Sequence, residues 1–205
     1  MEEDKKLVEN TDELNREQKA EQGGAQKEEK LNWKKELLSW VLILVIAYVL
    51  AQVVTRVIII KTEIVSGSMI ATLKVNDRVV GNRLAYLFKN PQRGDIIFFK
   101  YPDNEEEVYV KRIIGLPGET VEVVEGQVYI DGVAIDEPYL NEPMLGSYGP
   151  YEVPDWGYFM MGDNRNISVD SRFWIQQFVT EDEILGKAWF RYKPSLGVIH
   201  SATYD

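Results

Sequence analysis

Ser68 lies in the stretch Ser66-Gly67-Ser68-Met69-Ile70-Ala71-Thr72-Leu73, directly after a long apolar run. A serine hydroxyl is a poor nucleophile until a base removes its proton, so the chain must supply that base elsewhere. The chain has a single histidine, His200, five residues from a C-terminus expected to fray, which makes a Ser-His-Asp triad a poor fit. Lysine is the better reading. Lys111, in Val108-Tyr109-Val110-Lys111-Arg112-Ile113-Ile114-Gly115, is the basic residue most closely surrounded by strand-forming apolar residues. An ordinary lysine, pKa near 10.4, is neutral in only about one molecule in 2,500 at pH 7. Burial must therefore lower it. A drop to about 8 would cost roughly 3 kcal/mol of folding free energy. Alone, each motif has a plain structural reading: Ser-Gly-Ser as a turn, and Lys111 as an edge-strand side chain extending its amine to water.

The elements that would position these groups follow from the rest of the chain. Its 205 residues, with five Trp, eleven Tyr and 45% hydrophobic content, allow one folded domain plus appendages. Cysteine is absent, which excludes a disulfide framework and a thiolate metal site, and one histidine cannot form a His-cluster site. Net charge is −10, which argues against a nucleic-acid binder.

Residues 1–36 are rich in Glu, Lys, Gln and Asn and read as a solvated, largely disordered charged tail on the cytoplasmic side. Leu37 to Thr55 is a run of 19 residues without a charge, apolar on every face, and long enough as a helix to cross a bilayer. A transmembrane helix is therefore expected over 37–56, with Trp33 and Trp40 near one headgroup region. Lys27, Lys30, Lys34 and Lys35 precede it, whereas only Arg56 and Lys61 follow closely. That bias places the N-terminus in the cytoplasm and the remainder outside the membrane.

Residues 57–205 alternate short apolar runs with turn residues, a mainly β pattern. Asp131-Gly132 between Val128-Tyr129-Ile130 and Val133-Ala134-Ile135 signals a two-residue hairpin, because the pair tolerates positive φ. Gly115-Leu116-Pro117-Gly118 is a second turn, leading into a strand over Thr120–Val124, and Arg93-Gly94-Asp95 introduces another at Ile96. Residues 136–157, rich in Pro and Gly, read as a loop-rich excursion from the sheet.

Four blocks occur together behind this anchor: Ser66–Leu73, Gly94-Asp95-Ile96-Ile97, Tyr109–Glu119, and Gly162-Asp163-Asn164-Arg165-Asn166-Ile167-Ser168-Val169-Asp170-Ser171-Arg172. In this combination the chain closely resembles the bacterial type I signal peptidases, from about Leu37 to Arg191. The resemblance implies a signal-peptidase-like β-barrel or β-sheet catalytic domain after one N-terminal transmembrane helix. It makes Ser68 the nucleophile and Lys111 the general base. It assigns Ser66 to the oxyanion hole with the backbone N–H of Ser68, and Ser168 to holding the lysine amine. Asp163, Asp170, Arg112 and Arg172 become the ion-pair scaffold, and Ile64, Val65, Met69, Leu73, Tyr109 and Val110 the shallow pockets for small side chains. The implied substrates are membrane-inserted preproteins bearing signal peptides with small residues at −3 and −1. The bilayer and proximity to the secretion translocase complete the partners, and no metal or organic cofactor is implied. The family usually has Pro where this chain has Ala71, a change that frees the loop by about 0.4 to 1 kcal/mol. Lys111 in place of a histidine, and the short 136–157 segment, suit the compact Gram-positive-like form. Outside this reading stand a soluble self-cleaving repressor with a Ser-Lys dyad, which the membrane segment disfavours. A membrane-tethered, non-catalytic binding module and a pathway-restricted peptidase of the same fold also remain open.

Overall fold

The computed structural model describes residues 33–204, so the charged tail over 1–32 lies outside the described residues. The helix α1 runs over Trp33–Val53 and is followed by a π-helical turn, Val54–Ile58. Its start lies four residues before the expected boundary at Leu37, because Lys34, Lys35 and Glu36 continue the helix as readily as apolar residues do. None of its residues is buried. Twenty-one residues at 1.5 Å each make about 31 Å, the thickness of a bilayer's hydrocarbon core. A helix apolar on all sides over its central run, with none of its residues buried among the described residues, is suited to lipid. Two compact units result, one ending at Val49 and one running from Leu50.

The second unit is built from twelve strands. They are β1 (Ile59–Glu63), β2 (Arg78–Asn82), β3 (Ile96–Tyr101), β4 (Asn104–Gly115), β5 (Thr120–Val124), β6 (Gln127–Ile130), β7 (Val133–Ala134), β8 (Tyr148–Glu152), β9 (Gly157–Met161), β10 (Phe178–Thr180), β11 (Ile184–Lys193) and β12 (Gly197–Val198). Eight of them form one sheet in the order β1-β2-β11-β3-β4-β9-β10, with β12 beside β11. The other four form a smaller sheet, β7-β6-β5-β8, and every pairing is antiparallel.

The central strand β3 explains its own composition. Ile96 and Phe98 join Ile60, Ile64, Met69, Leu73, Val79 and Ala188 on one side. Ile97 and Phe99 join Ile113, Tyr158, Met160, Trp174 and Val179 on the other. Successive side chains on a strand point to opposite faces, so a strand covered on both reads as an unbroken apolar run. Each such side chain contributes roughly 1.5–3 kcal/mol by leaving water. A third cluster, including Ile114, Val121, Val128, Phe159 and Met161, packs the ends of β4 and β9 against the smaller sheet.

The hairpin at Asp131-Gly132 forms as expected, with φ of +50° and +79° at the two residues joining β6 to β7. The stretch 136–157 is not a pure excursion, however. Its second half, β8, hydrogen-bonds to β5 and completes the smaller sheet. The C-terminus is not frayed either: the Ala202 N–H donates to the Gly94 carbonyl at 3.1 Å, and the Ser201 hydroxyl to Asp95 at 2.8 Å.

Candidate active site

The chain enters the site from β1. After Glu63 it leaves the sheet, and Gly67–Met69 form a single 3₁₀ turn that carries Ser68. Ser66 ahead of it is extended, with φ −125° and ψ 155°. The turn continues through Ile70, whose N–H donates to Gly67, and through Thr72 and Leu73, whose N–H groups both donate to the Met69 carbonyl. These bonds hold the loop at Ala71 without the proline ring.

The late block clamps this turn from outside. The Asn164 N–H donates to the Ser68 carbonyl at 2.9 Å, and the Asn164 side-chain amide donates to the Gly67 carbonyl at 3.1 Å. Gly162 passes so close that a Cβ there would stand 2.5 Å from the Ser68 carbonyl oxygen and 2.2 Å from Ser168 Oγ. Only glycine permits that approach.

Lys111 comes from the middle of β4, where Ile97 is its cross-strand partner. It is 3% exposed, and its Nζ donates to Ser68 Oγ at 2.6 Å. Burial is the largest influence on the amine, and it pulls the pKa down to about 8. Asp170 and Asp163 work against this by favouring the charged form, and Arg172 reinforces it. Ser66 Oγ lies 3.2 Å from Ser68 Oγ, on the same side as the groove.

Two buried ion pairs frame the dyad. Arg112, adjacent to Lys111 on β4, donates from Nε and Nη2 to the two oxygens of Asp163 at 2.8 and 2.7 Å. Arg172 donates from Nε and Nη2 to Asp170 at 2.8 and 2.9 Å, while Asp170 also accepts the Gly162 N–H at 3.0 Å. Bidentate geometry of this kind fixes orientation as well as charge. Thr72 donates to Asp163, so this ion pair is tied back to the loop that carries Ser68. Ser168 is buried beside Gly162, but its hydroxyl has no hydrogen-bond partner and does not hold the lysine amine. The amine instead makes its short bond to Ser68.

A groove of about 530 Å³ opens over the dyad, lined by Ile64, Val65, Tyr109, Val110, Ile167 and Val169 among others. Four of the six expected pocket residues therefore face it. Met69 and Leu73 do not: they are 0% and 1% exposed and fill the core beneath β1, β2 and β3. Their apolar character serves packing, which periodicity alone does not distinguish from a substrate pocket. Ile167 and Val169 also line the groove, and their alternation with the buried Ser168 and Asp170 marks an exposed apolar face. Sequence reasoning also missed Glu137, which grips the guanidinium of Arg165, and Tyr139, whose ring lies 3.9 Å from the Arg112 guanidinium carbon. Glu137 is one of several acidic residues in its segment, with Asp136 and Glu142 close by, so nothing local singled it out. His200 is exposed and does not line this groove. No cluster of His, Cys, Asp and Glu able to hold a metal occurs among the described residues.

The family model for signal peptidases, peptidase S26, matches residues 37–193, a span that takes in the helix, the Ser68 turn, β4 and the late block. The chain belongs to the S26 signal peptidase family. A signal peptidase I S from Bacillus subtilis is 38% identical over 179 residues, covering 82% of this chain and 95% of that protein. A probable signal peptidase I-2 from Synechocystis is 42% identical over 134 residues, 63% of this chain, and the match spans 61% of the relative's own length. A solved structure of a signal peptidase I from Enterococcus faecalis is 38% identical, with a TM-score of 0.43, and covers 48% of this chain and 97% of that one. The helix α1 with the turn that follows it is long and apolar enough to cross a membrane, which together with the family marks a membrane-anchored protein, and the remaining described residues are mainly β.

Proposed function

We propose that this chain is a membrane-bound serine endopeptidase that removes N-terminal signal peptides from exported preproteins by a Ser68–Lys111 dyad. The observation that carries the reading is the 2.6 Å bond between Lys111 Nζ and Ser68 Oγ at the floor of an apolar groove. With the amine pKa near 8, about one molecule in ten has a neutral Lys111 at pH 7, against about one in 2,500 for an ordinary lysine.

Neutral Lys111 takes the hydroxyl proton as Ser68 Oγ attacks the scissile carbonyl carbon. The Ser68 N–H and the Ser66 hydroxyl donate to the developing oxyanion, each such donor being worth about 3 kcal/mol in the transition state. Protonated Lys111 gives its proton to the departing amine as the C–N bond breaks, leaving an acyl ester on Ser68. It then removes a proton from water, which hydrolyses the ester and returns the serine. Asp163 with Arg112 and Asp170 with Arg172 hold the loops on either side. Ser168 fills the space beside Gly162.

The groove walls, Ile64, Val65, Tyr109 and Val110, leave room for small side chains at −3 and −1. Residues 37–56 span the bilayer with the N-terminus cytoplasmic, and 57–205 form the extracytoplasmic catalytic domain. Sharing a membrane with its precursors raises their effective concentration and places the enzyme near the translocase that delivers them. The test is cleavage of a signal-bearing precursor by the full chain in lipid vesicles, with the new N-terminus read by mass spectrometry. Cutting after alanine at −1, lost when that alanine becomes phenylalanine, supports the reading. Cutting that ignores the −1 residue refutes it.

A further inference from the structure

Tyr109 lines the groove, and neighbouring aromatic side chains fix where its ring stands. Tyr101 stacks on it with centroids 4.5 Å apart and planes 2° from parallel. Trp174 meets Tyr109 and Tyr101 edge-on, at 6.3 and 5.4 Å, and itself leans on Phe99 at 5.9 Å. Trp174 is 4% exposed, and its indole N–H has no hydrogen-bond partner among the described residues. A buried indole normally finds one, so this ring is placed for packing against its aromatic neighbours. Its backbone N–H donates to the Asp170 carbonyl at 3.2 Å, which ties the cluster to the turn bearing the Asp170–Arg172 pair. With Tyr101 flat against it and Trp174 at its edge, the Tyr109 ring cannot turn without displacing both.

The same ring stands beside the base. Successive side chains of a strand alternate between its faces, which puts Tyr109 and Lys111 on one face of β4. Lys111 Nζ lies over the Tyr109 ring, 5.7 Å from its centre. A cation within about 6 Å of an aromatic face is attracted by the ring's negative quadrupole, and more strongly out of water. The charged groups that act on the amine are Asp170, Asp163 and Arg172, all from the late block. None of them lies on β4, so the ring is the group on the base's own strand that favours its charge. We propose that the π face of Tyr109 stabilises the Lys111 ammonium that forms as Ser68 loses its proton, with Tyr101 and Trp174 as positioning residues for the ring. The proton passes from Ser68 Oγ to Lys111 Nζ as Oγ bonds to the carbonyl carbon, and the ring makes and breaks no bond. The inference rests on the reading of Ser68 and Lys111 as a dyad.

The test weakens the π face while keeping its shape. Tyr109→Phe is compared with Tyr109→trifluorophenylalanine, each in the full chain in detergent. Acylation of Ser68 by a p-nitrophenyl ester is followed as the burst of p-nitrophenol from about pH 6 to about pH 10, with Ser68→Ala as the blank. Fluorine withdraws negative charge from the ring face, so the ammonium loses support and the inflection of the rate moves down by about 0.4–1.5 pH units. The plateau rate falls about two- to fivefold, because only part of the charge has formed in the transition state. Below the inflection more of the base is neutral, so rates there stay level or rise. A misplaced side chain would instead lower the rate at every pH. Trp174→Leu should move the inflection in the same direction, and Trp174→Phe, which keeps an aromatic edge, should restore most of it. An inflection that fluorination does not move overturns the proposal and leaves the dyad standing. An inflection unmoved in Trp174→Leu, with a lowered melting temperature, overturns the positioning role of Trp174. No burst in the parent beyond the blank overturns the dyad and the proposal together.

Discussion

Gly162→Ala is the substitution whose consequence can be worked most directly from distances. The new Cβ would stand 2.5 Å from the Ser68 carbonyl oxygen, a backbone atom, and 2.2 Å from Ser168 Oγ. Ser168 can rotate, but the Ser68 carbonyl is fixed because it accepts the Asn164 N–H at 2.9 Å. Relieving the backbone contact to an ordinary van der Waals separation of about 3.4 Å requires a relative shift of close to 1 Å. That shift moves Ser68 Oγ off the Lys111 amine, and misplacements of this size lower rates by about 100-fold. The expected result is a kcat reduced about 100-fold, KM nearly unchanged, and a stability loss of 1–3 kcal/mol from overpacking. Cleavage kinetics on a precursor and thermal unfolding in the same detergent measure both. The double variant Gly162→Ala with Ser168→Ala removes the 2.2 Å clash but keeps the backbone one, so it stays slow. Activity within twofold of the parent, in either variant, would refute the claim that Gly162 sets the nucleophile's position.

The remaining predictions follow from the same geometry. The rate kcat/KM rises with pH through an inflection near 8, where the buried Lys111 amine loses its proton; a plateau already reached by pH 6 would contradict that. Stability carries the same signature. The folded-state pKa lies below the unfolded value, so the penalty of burying the charged amine, about 3 kcal/mol, is fully present below pH 8 and disappears between pH 8 and 10.5. Lys111→Met therefore unfolds at a higher temperature than the parent at pH 6, and the gap narrows as pH rises from 8 towards 10.5. Arg112→Ala leaves Asp163 buried and unpaired and lowers stability by 3–5 kcal/mol, measured by denaturant unfolding. Ser66→Ala removes a hydroxyl assigned to the oxyanion and lowers kcat by about 100-fold with little change in melting temperature.

How much of this could be read from the chain depended on whether local chemistry or distant packing made the decision. The turns at Asp131-Gly132 and Gly94 were legible because positive φ is a local demand that few residues meet. The apolar run of β3 was legible as a strand, and its burial on both faces explains why no alternation appeared. Ser68 and Lys111 were legible through four blocks in order, whereas their 2.6 Å contact depends on β4 passing beneath the 3₁₀ turn. Met69 and Leu73 went the other way: an apolar residue beside a nucleophile can face the groove or the core, and nothing local separates the two. The strand β8 was hidden because Gly149 and Pro150 within it signal a turn, yet it is an edge strand, where proline's missing N–H costs no ladder bond. The docked C-terminus was hidden for a related reason. Its partners, Gly94 and Asp95, lie more than a hundred residues away.

The central claim is that Lys111 makes Ser68 a nucleophile, and its most direct test is acylation of Ser68 by a serine-directed acylating probe, followed by intact mass. At pH 8 the unmodified full chain should gain one acyl group located to Ser68, Ser68→Ala none, and Lys111→Ala one only at a rate lower by a factor of about 1,000, the size of a lost general base. Equal acylation rates in the parent and Lys111→Ala, with both folded, would contradict the account.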